Sequence, residues 1–184
     1  MTFKKLDFFL ESIRTLKKSG TVTQSSKALC HAMTSHITED HKVIVEIGAG
    51  DGAITTYILD KMAKDAVLYS FEINEAHFRK LQHIQDERLV PIFDSAANIK
   101  KHLTDKGHQK ADTIISALPF LVMPTEVTLQ IISACHKCLL SKSLFVQFHY
   151  SKKLKKLYKS TFKHVQTEFV LLNAPPAFVF RCER

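Results

Sequence analysis

A mostly parallel α/β sheet is the fold class this sequence predicts, and three observations predict it. From residue 43 to residue 150, short β-branched runs alternate with helix-compatible segments, the pattern of helices crossing over between parallel strands. The first run, Val43 to Ile47, opens into a turn with glycines at 48, 50 and 52. Strand, tight turn, helix is the order that suits a nucleoside cofactor lying over the carboxyl end of such a sheet. Two later runs also end in acids, Glu72 and Asp94. An acid about twenty residues beyond a glycine loop can accept hydrogen bonds from both ribose hydroxyls, and Asp94 is placed to accept from an adenine amino group.

Taken in order, residues 3 to 18 read as an amphipathic helix, with Leu6, Phe9, Leu10, Ile13 and Leu16 on one face. Such a helix either docks on the domain or lies in a membrane interface. Gly20 stops it. Thr21 to Ser26 form a polar connector, and Ser25 or Ser26 caps a helix from Lys27 to about Thr38. Strands follow at 43–47, 67–72, 89–93, 111–116 and 143–150, separated by helices near 53–64, 75–86, 96–106 and 124–139. Lys152 to Lys159 is a lysine-rich helical stretch. His164 to Leu172 and Ala177 to Cys182 read as two strands joined at Asn173-Ala174-Pro175-Pro176. Strands joined by so short a turn must be antiparallel.

The bulk numbers bound the function. A chain of 184 residues, 45% hydrophobic, forms one domain with a full core. Its 26 basic and 18 acidic residues leave a charge of +8, which favours an anionic partner, nucleic acid or an anionic membrane surface, without choosing between them. Cys30, Cys135, Cys138 and Cys182 make no disulfide framework, which fits a reducing cytoplasm. Cys135 and Cys138 form a C-x-x-C without a second pair. A zinc site needs two more ligands, so no metal is expected. No apolar run is long enough to span a bilayer.

Several stretches carry a family resemblance. Gly48-Ala49-Gly50-Asp51-Gly52 is similar to motif I of the class I S-adenosylmethionine (SAM) methyltransferases. Gly20-Thr21-Val22-Thr23-Gln24-Ser25-Ser26, Phe71-Glu72-Ile73-Asn74, Asp94-Ser95-Ala96, Ser116-Ala117-Leu118-Pro119-Phe120, Phe145-Val146-Gln147-Phe148-His149-Tyr150 and Asn173-Ala174-Pro175-Pro176-Ala177 resemble, in order, segments of the bacterial phospholipid N-methyltransferases. Gln24 stands where that family usually has proline, Ala117 where it has glycine, and His149 where threonine is common. The resemblance implies a Rossmann-like, mostly parallel seven-stranded sheet closed by an antiparallel C-terminal hairpin. It implies SAM as cofactor and the amine of phosphatidylethanolamine, or of a related amino lipid, as acceptor. Residues 1–38 would then form membrane contact and lid, and 42–184 the catalytic core, working in the cytoplasm on the inner face of the membrane.

On that footing the expected cofactor contacts are Ser25, Ser26, Glu46, Gly48, Ala49, Gly50, Glu72, Ile73, Asp94, Ser95, Ala96 and Ser116. Leu118, Pro119 and Phe120 are expected to line the acceptor pocket. Lys27 and Arg181 are candidate phosphate partners, with a surface salt bridge the alternative for each. Tyr150 and His149 are the candidates near the amine, where a proton must be accepted or passed on. Otherwise His149 is a surface histidine and Tyr150 a packed ring. The lysines at 152, 153, 155 and 156 would reinforce an anionic-membrane contact if they share its side of the fold. The rival family is the rRNA adenine dimethyltransferases, whose corresponding loop is N-(L/I)-P-(Y/F). There an asparagine holds the base amine and the aromatic stacks on the base. Here alanine takes the asparagine's place and cannot accept that hydrogen bond. A SAM- or lipid-binding protein without turnover is the third reading.

Overall fold

The computed structural model describes residues 25–184. The helix expected over residues 3 to 18 and the connector through Gln24 lie outside the described residues. Helix α1 (Lys27–Thr34) begins where its polar residues predict: the Ser26 side chain accepts from the Leu29 N–H at 3.1 Å. It ends four residues before the expected Thr38. Then come β1 (Val43–Ile47), α2 (Ala53–Lys61), β2 (Val67–Glu72), α3 (Glu75–Gln82) and β3 (Leu89–Phe93). A 3-10 turn at Ala96–Asn98 leads into α4 (Ile99–Asp105), followed by β4 (Ala111–Ser116), α5 (Thr125–Cys138) and β5 (Leu139–His149). The chain closes with α6 (Lys155–Thr161), β6 (His164–Val170) and β7 (Ala177–Glu183).

The seven strands form one sheet in the order β3-β2-β1-β4-β5-β7-β6. The first five are mutually parallel, and β7 runs antiparallel to both β5 and β6. Side chains alternate across the sheet, as strand geometry requires. Val43, Val45, Ile47, Phe71, Ile114, Phe145 and Phe180 face one layer, built from α4, α5 and α6. Ile44, Leu68, Ile115, Val146 and Val179 face the other, built from α1 and α2. Both faces are covered, which is why β1 is buried at every residue, its glutamate included.

Two features depart from the sequence expectation. β5 starts at Leu139, directly after α5, because Leu139 pairs with Ala111 across an irregularity in the ladder. Lys142, within this early stretch, sits at φ 66°, and its N–H bonds to the Arg184 carbonyl. The pairing that makes a strand here is therefore with distant chain. The predicted 152–159 helix is shifted to Lys155–Thr161, with Tyr158 wholly buried against the sheet.

What matters for the site is the reversal of direction at the sheet's centre. The chain leaves β1 outward to β2 and β3, then returns to β4 on β1's other side. The crevice at such a switch point, beyond the strands' carboxyl ends, is where ligands bind in open α/β sheets.

Candidate functional site

The glycine loop is built against its neighbours on both sides of that crevice. The Gly48 and Ala49 N–H groups donate to the Phe71 carbonyl at the end of β2, at 2.9 and 3.2 Å. The Ala117 N–H, just past β4, donates to the Ile47 carbonyl at 3.0 Å. Gly48 has φ +72°, and a Cβ there would meet the Leu118 side chain at 2.7 Å. The residue is glycine because φ is positive and the Leu118 loop presses on it. Gly50, at φ +62°, has nothing within 4 Å of a would-be Cβ. It faces open space over the crevice, where a ligand can approach backbone closely.

Glu72 locks this loop to the second strand. Its Oε2 accepts from the Gly50 N–H at 2.8 Å, and its Oε1 from the Ile73 and Asn74 N–H groups at 2.8 and 2.7 Å. An ionised carboxylate offers about four acceptor positions, so acceptor capacity is left on Oε2. Glu72 is 8% exposed, so it is oriented by the chain before any ligand arrives. Ile73 contributes backbone, and Asn74 caps α3 by accepting from the His77 N–H at 3.2 Å.

Asp94 is held by a different kind of network. Oδ1 accepts from the Ser95 N–H at 2.6 Å and Asn98 Nδ2 at 2.9 Å, and Oδ2 lies 2.7 Å from His102 Nε2. Partial burial works to raise its pKa, but the hydrogen bonds from His102, Asn98 and Ser95 outweigh it and hold the carboxyl below its ordinary value. Ser95 caps the 3-10 turn through the Ala97 N–H, and Ala96 is buried beneath. Nothing in the sequence marked His102 or Asn98, because only the fold of the intervening turn brings them to Asp94.

Glu46 sits beneath the loop rather than in it. It is 1% exposed, and its Oε2 accepts from the hydroxyls of Thr55 and Ser70, both at 2.7 Å. Its Oε1 is buried without a partner. Burial pushes its pKa up to about 7, against the two hydroxyl hydrogen bonds and with help from the negative Glu72. The carboxyl thus positions β1, α2 and β2 under the crevice.

Past β4, Ser116 is fully buried, and its Oγ accepts from the Leu118 N–H at 3.4 Å. Gln147, opposite Ser116 on β5, donates from Nε2 to the Leu118 carbonyl at 3.1 Å and to the Phe148 carbonyl at 2.6 Å. Both acceptors are carbonyls, so the amide orientation is fixed. Gln147 Oε1 faces no partner and is buried. Gln147 is the residue that sequence reasoning passed over. The sequence offers Gln147 only as part of the Phe145–Tyr150 resemblance, and its bonds to the Leu118 and Phe148 carbonyls appear only in the fold. Pro119 is partly exposed, whereas Phe120 is 2% exposed.

Several expectations need correction. His149 is not a surface histidine. It is 4% exposed, its Nε2 lies 2.7 Å from the Tyr158 hydroxyl, and its ring packs beside Phe120, Tyr158 and Phe180. Burial lowers its pKa to about 4. Its ring nitrogen is thus spent on holding α6 to β5. Arg181 is not a free phosphate partner either. Nη2 donates to the Ala32 carbonyl at 2.7 Å and to Ser35 Oγ at 3.0 Å, and pairs with Glu168 at 2.6 Å. It fastens the end of α1 to the antiparallel strands. Tyr150 is 37% exposed at the carboxyl edge, edge-on to Phe148. Burial raises its pKa, against a hydrogen bond with Asn173. Lys27 is exposed on the first turn of α1, and Ser26 also donates its N–H to Asn173 Oδ1 at 3.1 Å. Among the described residues, the Ser25 carbonyl lies 3.8 Å from Cys30 Sγ.

Comparison with known proteins fits this geometry. No protein-family model matches the chain. An ornithine lipid N-methyltransferase of Singulisphaera acidiphila is 26% identical over 147 residues, 78% of this chain and 77% of the relative. Among solved structures, a Clostridium thermocellum protein assigned as an rRNA methylase superposes with a TM-score of 0.67 at 16% identity, covering 88% of this chain and 97% of its own. A Streptococcus mutans protein assigned as a methyltransferase, solved in complex with SAH, superposes with a TM-score of 0.64 at 17% identity, covering 85% and 96%. The fold is that of the class I SAM-dependent methyltransferases.

Proposed function

We propose that this protein is a SAM-dependent N-methyltransferase whose acceptor is the amine of a lipid, phosphatidylethanolamine or a related amino lipid. S-adenosylmethionine is the methyl donor. The residues present fit it: Gly50 opens on empty space, and Glu72 is already oriented with acceptor capacity to spare. Gly48, Ala49 and Gly50 would pass under its methionine part, Glu72 would take the ribose and Asp94 the adenine side. When bound, SAM supplies a methyl group that is already electrophilic. The chain's work is then to hold an amine in line behind it and keep water out.

One observation carries the choice of acceptor. In the rival base-methylating loop an asparagine grips the base and an aromatic ring stacks on it. Here Ala117 has no polar group, and Phe120 is 2% exposed, packed down towards His149 rather than presented to a base. The relative named for ornithine lipid supports a lipid amine. The neutral His149 beneath Phe120 suits this use, since a charged imidazole there would repel an incoming ammonium. We take residues 1–184 as one catalytic unit acting on the inner face of the membrane, with 1–38 as its lid.

The test is transfer of label from SAM. Phosphatidylethanolamine or ornithine lipid in mixed micelles should become labelled, and purified ribosomal subunits should not. Faster labelling of rRNA than of lipid would overturn the reading.

A further inference from the structure

We propose that the turn between β6 and β7, carrying Leu171 and Leu172, together with the lysines that follow β5, is the surface on which this protein docks onto an anionic lipid bilayer. The proposal rests on the lipid-acceptor reading and names where the membrane meets the fold.

The placement follows from strand direction. β7 is antiparallel to β5, with Phe178 opposite His149, and β6 is antiparallel to β7. The β6–β7 turn therefore stands at the carboxyl end of β5. The glycine loop and the Leu118–Phe120 loop open on the same edge. At this turn Leu171 is 66% exposed and Leu172 is 78% exposed. Single exposed leucines are ordinary, but a contiguous apolar patch marks an interaction surface. Phe169, two residues before Leu171, is also 54% exposed, and its ring lies 4.9 Å from that of Phe178.

The leucines stand on a rigid mount. Asn173, the next residue, is 6% exposed. It accepts from the Ser26 N–H at 3.1 Å and donates to the Pro175 carbonyl at 2.7 Å. A turn whose base is bonded this firmly presents its two leucines to solvent by construction.

The chemistry around them selects the partner. Lys152 Nζ lies 4.6 Å from the centre of the Phe178 ring. Segments 150–156 and 169–178 together hold lysines at 152, 153, 155 and 156 and no acid. Lysines 152, 153 and 156 are exposed. Apolar tips that enter the acyl boundary, flanked by cations that stay among headgroups, match an anionic bilayer interface. Leu121 and Val122, 40% and 47% exposed in the loop after β4, lie on the same carboxyl edge of the sheet. Docked this way, the protein turns its cofactor crevice to the membrane, so a lipid amine reaches it without leaving the leaflet.

The test is co-sedimentation with vesicles of phosphatidylcholine and phosphatidylglycerol, and with vesicles of phosphatidylcholine alone, using the full chain. Leu171→Ser/Leu172→Ser should weaken binding to the mixed vesicles about tenfold or more, since two leucines lose their burial. Lys152→Gln/Lys153→Gln should weaken binding to the anionic vesicles several-fold at low salt and leave the phosphatidylcholine signal unchanged. Both variants should keep wild-type SAH affinity by calorimetry. Unchanged vesicle binding in the leucine variant overturns the proposal. So does loss of binding only on deletion of residues 1–24, which would move the contact there, or binding only to an added protein partner. If the wild type labels no lipid in micelles yet needs the leucines for vesicles, the docking surface stands and the acceptor reading fails.

Discussion

At the scale of single residues, the site is defined by acids in three different situations. Glu72 is satisfied by backbone N–H groups, Asp94 by side chains, and Glu46 by hydroxyls on one oxygen only. Glu46 has its pKa pushed up, from 4.5 to about 7, chiefly by burial. The folded state therefore holds a proton that the unfolded chain releases between those values. Stability from this residue falls as pH rises through that window. Glu46→Gln removes the titration while its amide still accepts from Thr55 and Ser70. Measured without cofactor, the stability of the variant relative to wild type should rise by about 3 kcal/mol between pH 4 and pH 8. Parallel denaturant titrations at the two pH values check this. A difference that does not move with pH would show that Glu46 titrates in the fold as it does in the unfolded chain.

At the scale of elements, the parallel strands were readable because a strand covered on both faces must be a short apolar run bounded by turn residues, and even the less buried edge strand β3 keeps that run. β1, β2, β3 and β4 lie where those runs lie. Glu72 was readable for the same reason, as an acid at a strand end a fixed distance past the glycines. β5 began earlier than its β-branched run, because its first residues are made a strand by Ala111 and the C-terminus. Gln147, His102 and the burial of His149 depend on what packs across the sheet, which no local pattern encodes. Arg181 is of this kind too. Its side chain is 17% exposed and reaches α1 from β7, 149 positions away in sequence from Ala32. Glu168 is 46% exposed, so the ion pair itself contributes little. The bonds to Ala32 and Ser35 matter more. Arg181→Met keeps the apolar stem and removes them, and should cost about 1–3 kcal/mol. Hydrogen exchange should show α1 losing protection while β1 and β4 keep theirs. Uniform loss across the sheet would mean that Arg181 supports the core and not the helix.

At the scale of the whole molecule, the carboxyl edge of the sheet is one mechanical unit. Glu72 joins the β2 turn to the glycine loop, Leu118 fills the space beside Gly48, and Gln147 and Ser116 hold Leu118 from either side. If Glu72 takes the ribose as proposed, cofactor affinity and loop order draw on the same side chain. Glu72→Ala leaves the N–H groups of Gly50, Ile73 and Asn74 without their acceptor and removes the candidate ribose contact together. The unliganded protein should lose about 1–3 kcal/mol of stability, eased where the freed N–H groups reach water. The larger effect is on linkage. At a ligand concentration about a hundred times its dissociation constant, wild type gains about 2.7 kcal/mol of stability. With Glu72 gone, affinity should fall by about 2–4 kcal/mol, some thirty- to a thousand-fold. Most of the stabilisation by SAH should then vanish at the same concentration. Thermal unfolding of both proteins with and without SAH separates the two effects: the first lowers the baseline, the second flattens the response. A variant that starts lower yet is raised by SAH as much as wild type would confine Glu72 to holding the loop and place the ribose elsewhere.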